Sequence, residues 1–142
     1  MPQPNPAPQP SGLPVDPVDR IYQDLGEDRI RLLIQHFYQH VRQDNLIGPM
    51  YPENDWQAAE QRLADFLIQR FGGPATYSQQ RGHPRLRMRH MPFAITPAAR
   101  DRWLQLMDHA LTETDVPPHV ADTLRPFFHQ VATFMINRPA DD

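Results

Sequence analysis

Apolar side chains recur with α-helical spacing along most of this chain from residue 19 onward. Residues three or four apart lie on one side of a helix, and four segments follow that rule. Their apolar positions are, in chain order, Ile30, Ile34, Phe37 and Val41; Trp56, Ala59, Leu63, Phe66 and Leu67; Trp103, Leu106, Met107, Ala110 and Leu111; and Val120, Leu124, Phe127, Val131, Phe134 and Met135. No stretch alternates with period two over the length of a strand, so the pattern predicts an all-α domain without a sheet.

Glycine and proline residues mark the ends of these helices. Gly26 separates a short first helix from the second, and Gly72-Gly73-Pro74 ends the helix that begins at Trp56. Thr96-Pro97 combines an N-cap with proline at the first helical position, so a helix is expected to start there. Pro117-Pro118 predicts the start of the last helix. Pro126 lies inside that helix and is expected to kink it or to displace its start.

The N-terminal residues have a different composition. Residues 1–17 contain seven of the 17 prolines, and such a segment favours extended conformations that bury no core. We therefore expect a disordered extension at residues 1–18, one domain at 19–139 and a short tail at 140–142. A chain of 142 residues is long enough for one domain of this kind.

Charge and composition exclude several classes of function. The formal net charge is −3, which does not favour nonspecific nucleic-acid binding. The chain contains no cysteine, and all 14 basic residues are arginine, so thiolate chemistry, lysine Schiff bases and Walker-type phosphate loops are excluded. No apolar run is long enough to span a membrane, and no secretory signal is recognised. A cytoplasmic protein is therefore expected.

Seven histidines are the first candidates for metal or acid–base chemistry. His36 and His40 are four residues apart and could chelate a metal, but they lie roughly 80–120° from the apolar side of their helix, which favours a solvated pair. His109, His119 and His129 are also expected at the surface, and His83, between Gly82 and Pro84, is expected in a loop.

His90 differs from the other histidines because it follows Leu86 by one helical turn and precedes an apolar strip. Between residues 73 and 96 the only helix expected runs from about Pro84 to Arg89, and a segment of that length usually surrounds something or has a function. An imidazole at the end of this short helix could be buried as a ligand. A core histidine bonded to backbone is the alternative, and periodicity does not decide between them.

Two further groups leave alternatives open. Tyr38, Tyr51, Tyr77, Trp56 and Trp103 are either ordinary core aromatics or pocket residues whose polar atoms need partners. A second group is a local basic cluster that forms either a solvated face or an anion site, since arginine binds carboxylates bidentately. It comprises Arg81, Arg85, Arg87 and Arg89.

Several of these stretches together resemble the group II truncated haemoglobins. The longest is YSQQRGHPRLRMRH, residues 77–90, followed by Met91-Pro92-Phe93. Phe37-Tyr38, Met50-Tyr51-Pro52, Gly72-Gly73-Pro74 and Trp103 extend the resemblance, which covers residues 21 to 138. The chain departs from the family pattern at Gly26, which stands alone where the family often has a glycine pair.

The resemblance implies a shortened globin, with two helix pairs stacked across each other around one haem b. It implies that His90 ligates the iron, that Ala59 and Leu63 shape the distal pocket, and that three aromatic residues donate hydrogen bonds to a bound ligand: Tyr38, Tyr51 and Trp103. Arg62, Tyr77 and, more weakly, Arg89 match positions that meet the haem propionates. Four further residues are expected to pack on the porphyrin: Phe66, Leu86, Phe93 and Ile95.

The function implied is binding of O2, and of CO and NO, at a five-coordinate iron with slow release of O2. A hydrogen bond to a charged group is worth roughly 1.5–3 kcal/mol, so several donors would hold O2 tightly. A redox enzyme acting on NO or peroxide with a separate reductase is the alternative. A cofactor-free helical interaction module is the second alternative. The oligomeric state, monomer or homodimer, stays open.

Overall fold

The computed structural model describes residues 16–140, and the predictions for residues 1–15 and 141–142 lie outside this range. Within it the chain forms seven α-helices and no β-strand, which confirms the predicted all-α fold. The helices are α1 (Ile21–Leu25), α2 (Glu27–Gln43), α3 (Trp56–Arg70), α4 (Thr76–Arg81), α5 (Leu86–His90), α6 (Pro97–Glu113) and α7 (Pro118–Phe134). Two 3-10 turns, Pro17–Arg20 and Gly48–Met50, precede α1 and follow α2.

The folded part of the chain begins before residue 19, where the domain was expected to start. Asp16 caps the first 3-10 turn by accepting a hydrogen bond from the Val18 amide. Val18 is buried and packs with the main core. Within the described residues, contacts with the core therefore extend to Val18, and the cap to Asp16, one and three residues before residue 19.

Two helix pairs, α2 with α3 and α6 with α7, form the framework, as expected for a two-over-two arrangement. Helix α2 packs against α3 and against α6, and α6 packs against α7. The predicted apolar side of α2 is fully enclosed, because Ile30, Ile34, Phe37 and Val41 have no exposed surface. None of the helices in residues 16–140 has the length and apolar character needed to cross a membrane.

The apolar side of α7 was predicted correctly except at its end. Val120 and Leu124 are buried, whereas Phe134 is 61% exposed. Phe134 is the last residue of α7, and no neighbouring helix covers that position. Helix α7 starts at Pro118, as expected, and runs without a break through Pro126, so the predicted displacement of its start does not occur.

Helix α4 is a short helix that the sequence pattern did not predict. Tyr77 is its only buried residue, so it has no apolar periodicity. A contact with α3 stabilises its first turn instead: the Gln69 side chain accepts a hydrogen bond from the Ser78 amide at 2.9 Å and donates one to the Ser78 hydroxyl at 2.7 Å. Helix α5, in contrast, lies where a helix was expected and extends through His90.

Gly72 joins the end of α3 to the N-terminal turn at very close range. Its φ of +98° favours glycine, and a Cβ placed there would collide with the carbonyl oxygen of Asp19. The adjacent Tyr22 amide donates to the Phe71 carbonyl at 2.9 Å. Gly26, between α1 and α2, also has a positive φ, +89°, but open space around it.

Candidate functional site

A cavity of about 360 Å³ lies among six helices, α2 to α7. The structure brings every site residue expected from the sequence to the wall of this one cavity. These are Tyr38, Tyr51, Ala59, Arg62, Leu63, Phe66, Tyr77, Leu86, Arg89, His90, Phe93, Ile95 and Trp103. Most of the wall is apolar, and its polar groups come from a few of these side chains.

His90 is the last residue of α5 and is half-buried at the cavity wall. Its Nδ1 lies 2.6 Å from the carbonyl oxygen of Leu86, one turn earlier. Because a carbonyl only accepts, Nδ1 carries a proton and donates it, so that Nε2 is the nitrogen left for another partner. A backbone-bonded imidazole with one free nitrogen is the arrangement that a metal-ligating histidine requires.

Residues just after α7 hold α5 in place, which the sequence analysis did not foresee. The Asn137 side chain donates to the His90 carbonyl at 3.0 Å and accepts from the Ile95 amide at 3.0 Å. The Arg87 guanidinium donates to the carbonyls of Phe134 and Ile136, at 3.3 and 3.2 Å. The position of His90 therefore depends on contacts with a segment 47 residues away in sequence.

Two tyrosines contribute further polar groups to the cavity wall. Tyr38, on α2, is buried, and Tyr51 follows the 3-10 turn after α2. Their rings meet edge to face with centroids 5.7 Å apart, and Trp56 stacks on Tyr51 at 5.1 Å. Three aromatic rings thus support one another at this side of the cavity.

The tyrosine hydroxyls are held in their neutral, hydrogen-bonding form. Burial, followed by the effect of the neighbouring Tyr51 hydroxyl, raises the pKa of Tyr38 well above its ordinary value. Burial also raises the pKa of Tyr51, although the hydrogen bond with Tyr38 acts in the opposite direction. Both side chains therefore remain hydrogen-bond donors at neutral and moderately alkaline pH.

Trp103, on α6, completes the polar side of the cavity. Its ring meets Phe37 and Phe128 edge to face, with centroids 4.9 and 5.7 Å away. These two contacts come from α2 and α7, so the indole is fixed by both helix pairs. The indole N–H is a donor only, and a ligand in the cavity would be its acceptor.

Two apolar residues of α3 line the cavity beside these aromatics. Ala59 is buried and Leu63 lies one turn further along, and both line the cavity. Neither side chain can donate a hydrogen bond, so donation to a ligand in this cavity depends on the aromatic residues.

Arg62 is paired with a carboxylate that the sequence analysis did not single out. Its two terminal nitrogens lie 2.6 and 3.5 Å from the two carboxylate oxygens of Asp55. The hydrogen bond from Arg62 lowers the pKa of Asp55, because it favours the ionised carboxylate. Both residues line the cavity, so a propionate at Arg62 would share the guanidinium with Asp55.

The basic cluster of residues 81–89 divides into different environments. Arg81 lies over the Tyr77 ring at 5.6 Å and near Asp65, 3.8 Å away. Arg89 is the only one of the four that lines the cavity, while Arg85 and Arg87 are exposed on the outside. The cluster as a whole is therefore not a single anion site.

The other histidines lie away from the cavity. His109, His119 and His129 are exposed, and His83 lies in the loop between α4 and α5, as expected. His36 and His40 are half-buried rather than fully solvated, because both reach the Glu113 carboxylate on α6, at 3.4 and 2.7 Å. In residues 16–140, no group of three or more histidine, aspartate or glutamate side chains is arranged to hold a metal ion.

Part of the cavity wall comes from residues that the sequence analysis assigned to the core or left unassigned. Several of them lie on α7 with the apolar spacing that is typical of core residues. Only the packing shows that they face a cavity. These additional residues are Ile47, Met50, Pro52, Asp55, Leu67, Ala99, Arg100, Phe127, Phe128, Val131, Ala132 and Met135.

The fold and the cavity are those of a globin, and comparisons with known proteins agree. A profile of the family described as Bacterial-like globin matches residues 20–137. The group 2 truncated hemoglobin YjbI of Bacillus subtilis is 32% identical over 117 residues, covering 82% of this chain and 88% of its own.

Two solved structures are similar over nearly their whole length. The thermostable hemoglobin of Thermobifida fusca shares 44% identity with a TM-score of 0.79, over 82% of this chain and 96% of its own. The truncated oxygen-avid haemoglobin of Bacillus subtilis shares 33% identity with a TM-score of 0.78, over 82% and 98%. The chain therefore belongs to the bacterial-like globins and, within them, to the group II truncated haemoglobins. It is a haem globin that binds small gaseous ligands.

The donor set of the cavity fits a haem. His90 offers one neutral nitrogen, and Leu86, Phe93 and Ile95 supply apolar surface on the same side. The guanidinium groups of Arg62 and Arg89 lie at the cavity wall, where carboxylates of a ligand can pair with them. A planar apolar group with two carboxylates therefore matches the composition of the wall.

Proposed function

We propose that this globin binds O2 and releases it slowly, through hydrogen bonds from Tyr38, Tyr51 and Trp103. The observation that carries the proposal is that these donors and the His90 imidazole line the same cavity. When bound, haem supplies an iron whose open sixth position gives a diatomic ligand partial negative charge. Neutral imidazole at the fifth position is the role proposed for His90.

The three aromatic residues would hold the ligand by donation alone. Tyr38 and Tyr51 keep their protons because burial raises their pKa values, and Trp103 has no acceptor function. Each hydrogen bond to a charged group contributes about 1.5–3 kcal/mol, so two donors slow escape by roughly two to four orders of magnitude. The B. subtilis relative described as oxygen-avid supports this assignment.

We infer that the cofactor is haem b, held without covalent attachment. Thioether attachment requires cysteine, and the sequence contains none. Arg62, Tyr77 and Arg89 are the proposed partners of the propionates, and Phe66, Leu86, Phe93 and Ile95 the proposed packing surface. The absence of cysteine is also the basis for proposing a cytoplasmic location.

The first test is spectroscopic and concerns His90. Protein produced with a haem supply should show the absorption spectra of ferrous, oxy and CO forms. His90→Ala should lose the five-coordinate ferrous spectrum at neutral pH, and external imidazole should restore it. His129→Ala removes an exposed histidine and serves as the matched control. If His90→Ala keeps the wild-type spectrum, the assignment of the iron ligand is wrong.

Redox chemistry on a retained ligand is the second candidate function. Slow release favours it, because a ligand that stays bound is available to NO or to a reductant. Continued turnover would need electrons from a separate reductase. Stopped-flow measurement of NO consumption by the oxy form, with and without a reductase, separates an enzyme from a carrier or sensor.

A further inference from the structure

The side of α5 that faces away from the cavity combines arginine with exposed methionine. Leu86 and His90, one turn apart, line the cavity, and helical spacing places Met88 and Met91 on the opposite side. Arg87 lies on the flank of the helix, and the exposed Arg85 immediately precedes it. Met88 is 57% exposed and Met91 45%. Phe134, 61% exposed, adjoins them through the hydrogen bond from Arg87 to its carbonyl. We call these five residues the α5 outer face.

The charge around this face is opposite to that of the rest of the chain. Residues 66–100 contain six arginines and no aspartate or glutamate, although the whole chain has a net charge of −3. The other residues hold all 17 acidic side chains and only eight arginines. The segment that carries α5 is therefore a local positive region on a negative protein.

The arginines of α5 are not neutralised by the described part of the chain. Arg70, Arg81 and Arg100 pair with the carboxylates of Asp19, Asp65 and Asp101. Within residues 16–140, in contrast, no carboxylate lies within 4.0 Å of a side-chain nitrogen of Arg85, Arg87 or Arg89. Arg87 is instead held by two backbone carbonyls, which fixes its position but leaves its charge uncompensated.

We propose that the α5 outer face is the docking surface for an acidic redox protein that reduces the haem iron. Exposed methionine beside arginine is a composition enriched in protein interfaces, and the charge of the face selects an acidic partner. The face lies on the other side of the same helical turn that carries His90, so a partner docked there is one helix diameter from the cavity. This inference rests on the proposed haem-based function.

The transfer itself is one electron and breaks no bond. The partner's reduced cofactor would give up one electron, and a ferric haem bound at His90 would take it up. The chain supplies no flavin or nicotinamide domain of its own in residues 16–140, so the electron must come from outside this fold.

An anionic membrane is less consistent with the same surface. The α5 outer face consists of one short helix and the end of another, while the rest of the chain is strongly acidic and would be repelled by anionic lipid. A protein partner needs only a local match of charge and shape. Membrane binding is therefore an outcome that the test must be able to detect.

The experiment uses haem-loaded protein and a reduced flavodoxin, an acidic one-electron donor. Stopped-flow absorbance gives the second-order rate of reduction of the ferric protein, and fluorescence anisotropy of labelled flavodoxin gives binding without turnover. Arg85→Glu reverses one charge of the face, and Met88→Ser removes apolar area. Arg20→Glu, on the exposed N-terminal 3-10 turn, makes the same change of charge outside the face.

We expect Arg85→Glu to lower the second-order rate constant of reduction by flavodoxin roughly three- to tenfold at low salt. The association constant for flavodoxin should fall by a similar factor. The difference from wild type should shrink to within about twofold near 0.5 M salt, where charges are screened. Met88→Ser should weaken binding at every salt concentration, whereas Arg20→Glu should change either quantity less than Arg85→Glu does. Reduction by dithionite and the visible spectrum should be the same in all four proteins.

Three results would overturn the docking inference. One is an equal effect of Arg85→Glu and Arg20→Glu on reduction by flavodoxin. Another is that flavodoxin does not bind, while the protein binds vesicles of phosphatidylglycerol and phosphatidylcholine and Arg85→Glu abolishes that binding. The third is a dimer, seen by sedimentation, that Arg85→Glu dissociates. Failure of the wild-type chain to bind haem would instead contradict the proposed function itself.

Discussion

Tyr38, Tyr51 and Trp103 bring their polar atoms to one side of a largely apolar cavity, and they do so from three different segments. Tyr38 lies on α2, Tyr51 after a 3-10 turn and Trp103 on α6. Each ring is braced by another aromatic ring, at centroid distances of 4.9 to 5.7 Å. Their donors are thus fixed before a ligand arrives, which reduces the entropy cost of binding it.

Trp103→Phe is expected to speed release of O2 by roughly ten- to a hundredfold, because it removes one N–H donor and keeps most of the ring. The measurement is stopped-flow displacement of O2 by CO. Trp56→Phe is the matched control, since Trp56 stacks on Tyr51 but does not line the cavity. An off-rate for Trp103→Phe no faster than that of Trp56→Phe would contradict the role of the indole.

The rate of O2 release should be independent of pH from about 6 to 9. The pKa of Tyr38 is raised, so the folded protein keeps the neutral, donating hydroxyl above the pH at which an exposed tyrosine ionises, near 10. The Tyr38 hydroxyl stops donating a hydrogen bond only as the pH rises towards its raised pKa. In Tyr38→Phe, release should be faster at every pH in this range. A rise in the wild-type off-rate between pH 7 and 9 would show that the hydroxyl ionises early.

Among the elements, α5 depends on its neighbours more than any other helix. It has five residues, none of them buried, and a non-glycine residue with φ of +47°, Arg85, precedes it. The hydrogen bonds from Arg87 and Asn137 to distant backbone groups take the place of a buried apolar side. The helix that carries the proposed iron ligand is thus positioned by polar contacts.

Asn137→Ala should loosen α5 and leave the four long helices intact. It removes two hydrogen bonds, to the His90 carbonyl and from the Ile95 amide, worth about 0.5–1.5 kcal/mol each. We expect faster loss of haem to apomyoglobin and an altered iron–histidine stretching band in the Raman spectrum. Asn45→Ala, in the exposed turn after α2, is the control. Unchanged haem loss and an unchanged band would show that Asn137 does not position His90.

Gly72 and Gly26 offer a matched test of the contact between α3 and the N-terminal turn. Both have positive φ, so alanine at either position carries a backbone strain of roughly 1–3 kcal/mol. Only at Gly72 would the new Cβ also collide with the Asp19 carbonyl. In urea unfolding of the haem-loaded proteins, the free energy of unfolding should therefore decrease more for Gly72→Ala than for Gly26→Ala. Equal losses would mean that the N-terminal turn moves away without cost.

At the scale of the whole molecule, the cavity joins much of the fold, because six helices contribute to its wall. A ligand that contacts so many elements stabilises the folded state by its binding free energy. The elements nearest the cavity differ greatly in their own burial. Helix α2 has six buried residues, whereas α5 has none.

Hydrogen exchange should show this difference when haem is removed. In the apoprotein the amides of α5 are expected to exchange faster by at least about tenfold, because local opening of this helix then exposes no buried apolar side chain. The amides of α2 serve as the internal control and should change much less. Equal protection of α5 with and without haem would contradict a role for the cofactor in ordering this helix.

Most of the architecture could be predicted from the chain alone because helical periodicity is a local property. The long helices and the ends marked by Gly72 and Thr96 follow from apolar spacing and from backbone preferences of glycine and proline. Helix α4 could not be predicted, since Gln69 of another helix caps it. Phe134 was predicted to be buried, but a helical wheel cannot tell whether a neighbour covers the last turn.

For the site, the sequence by itself singled out the candidate residues, because together they resemble a family motif spread from Tyr38 to Trp103. Periodicity alone left His90 as either a core histidine or a ligand. Only the tertiary structure showed that its Nδ1 donates to Leu86 while the ring lines a cavity shared with the three aromatic donors. It also decided the partners of Arg62, His36 and His40, because such partners come from residues distant in sequence, and only folding brings them within hydrogen-bonding distance.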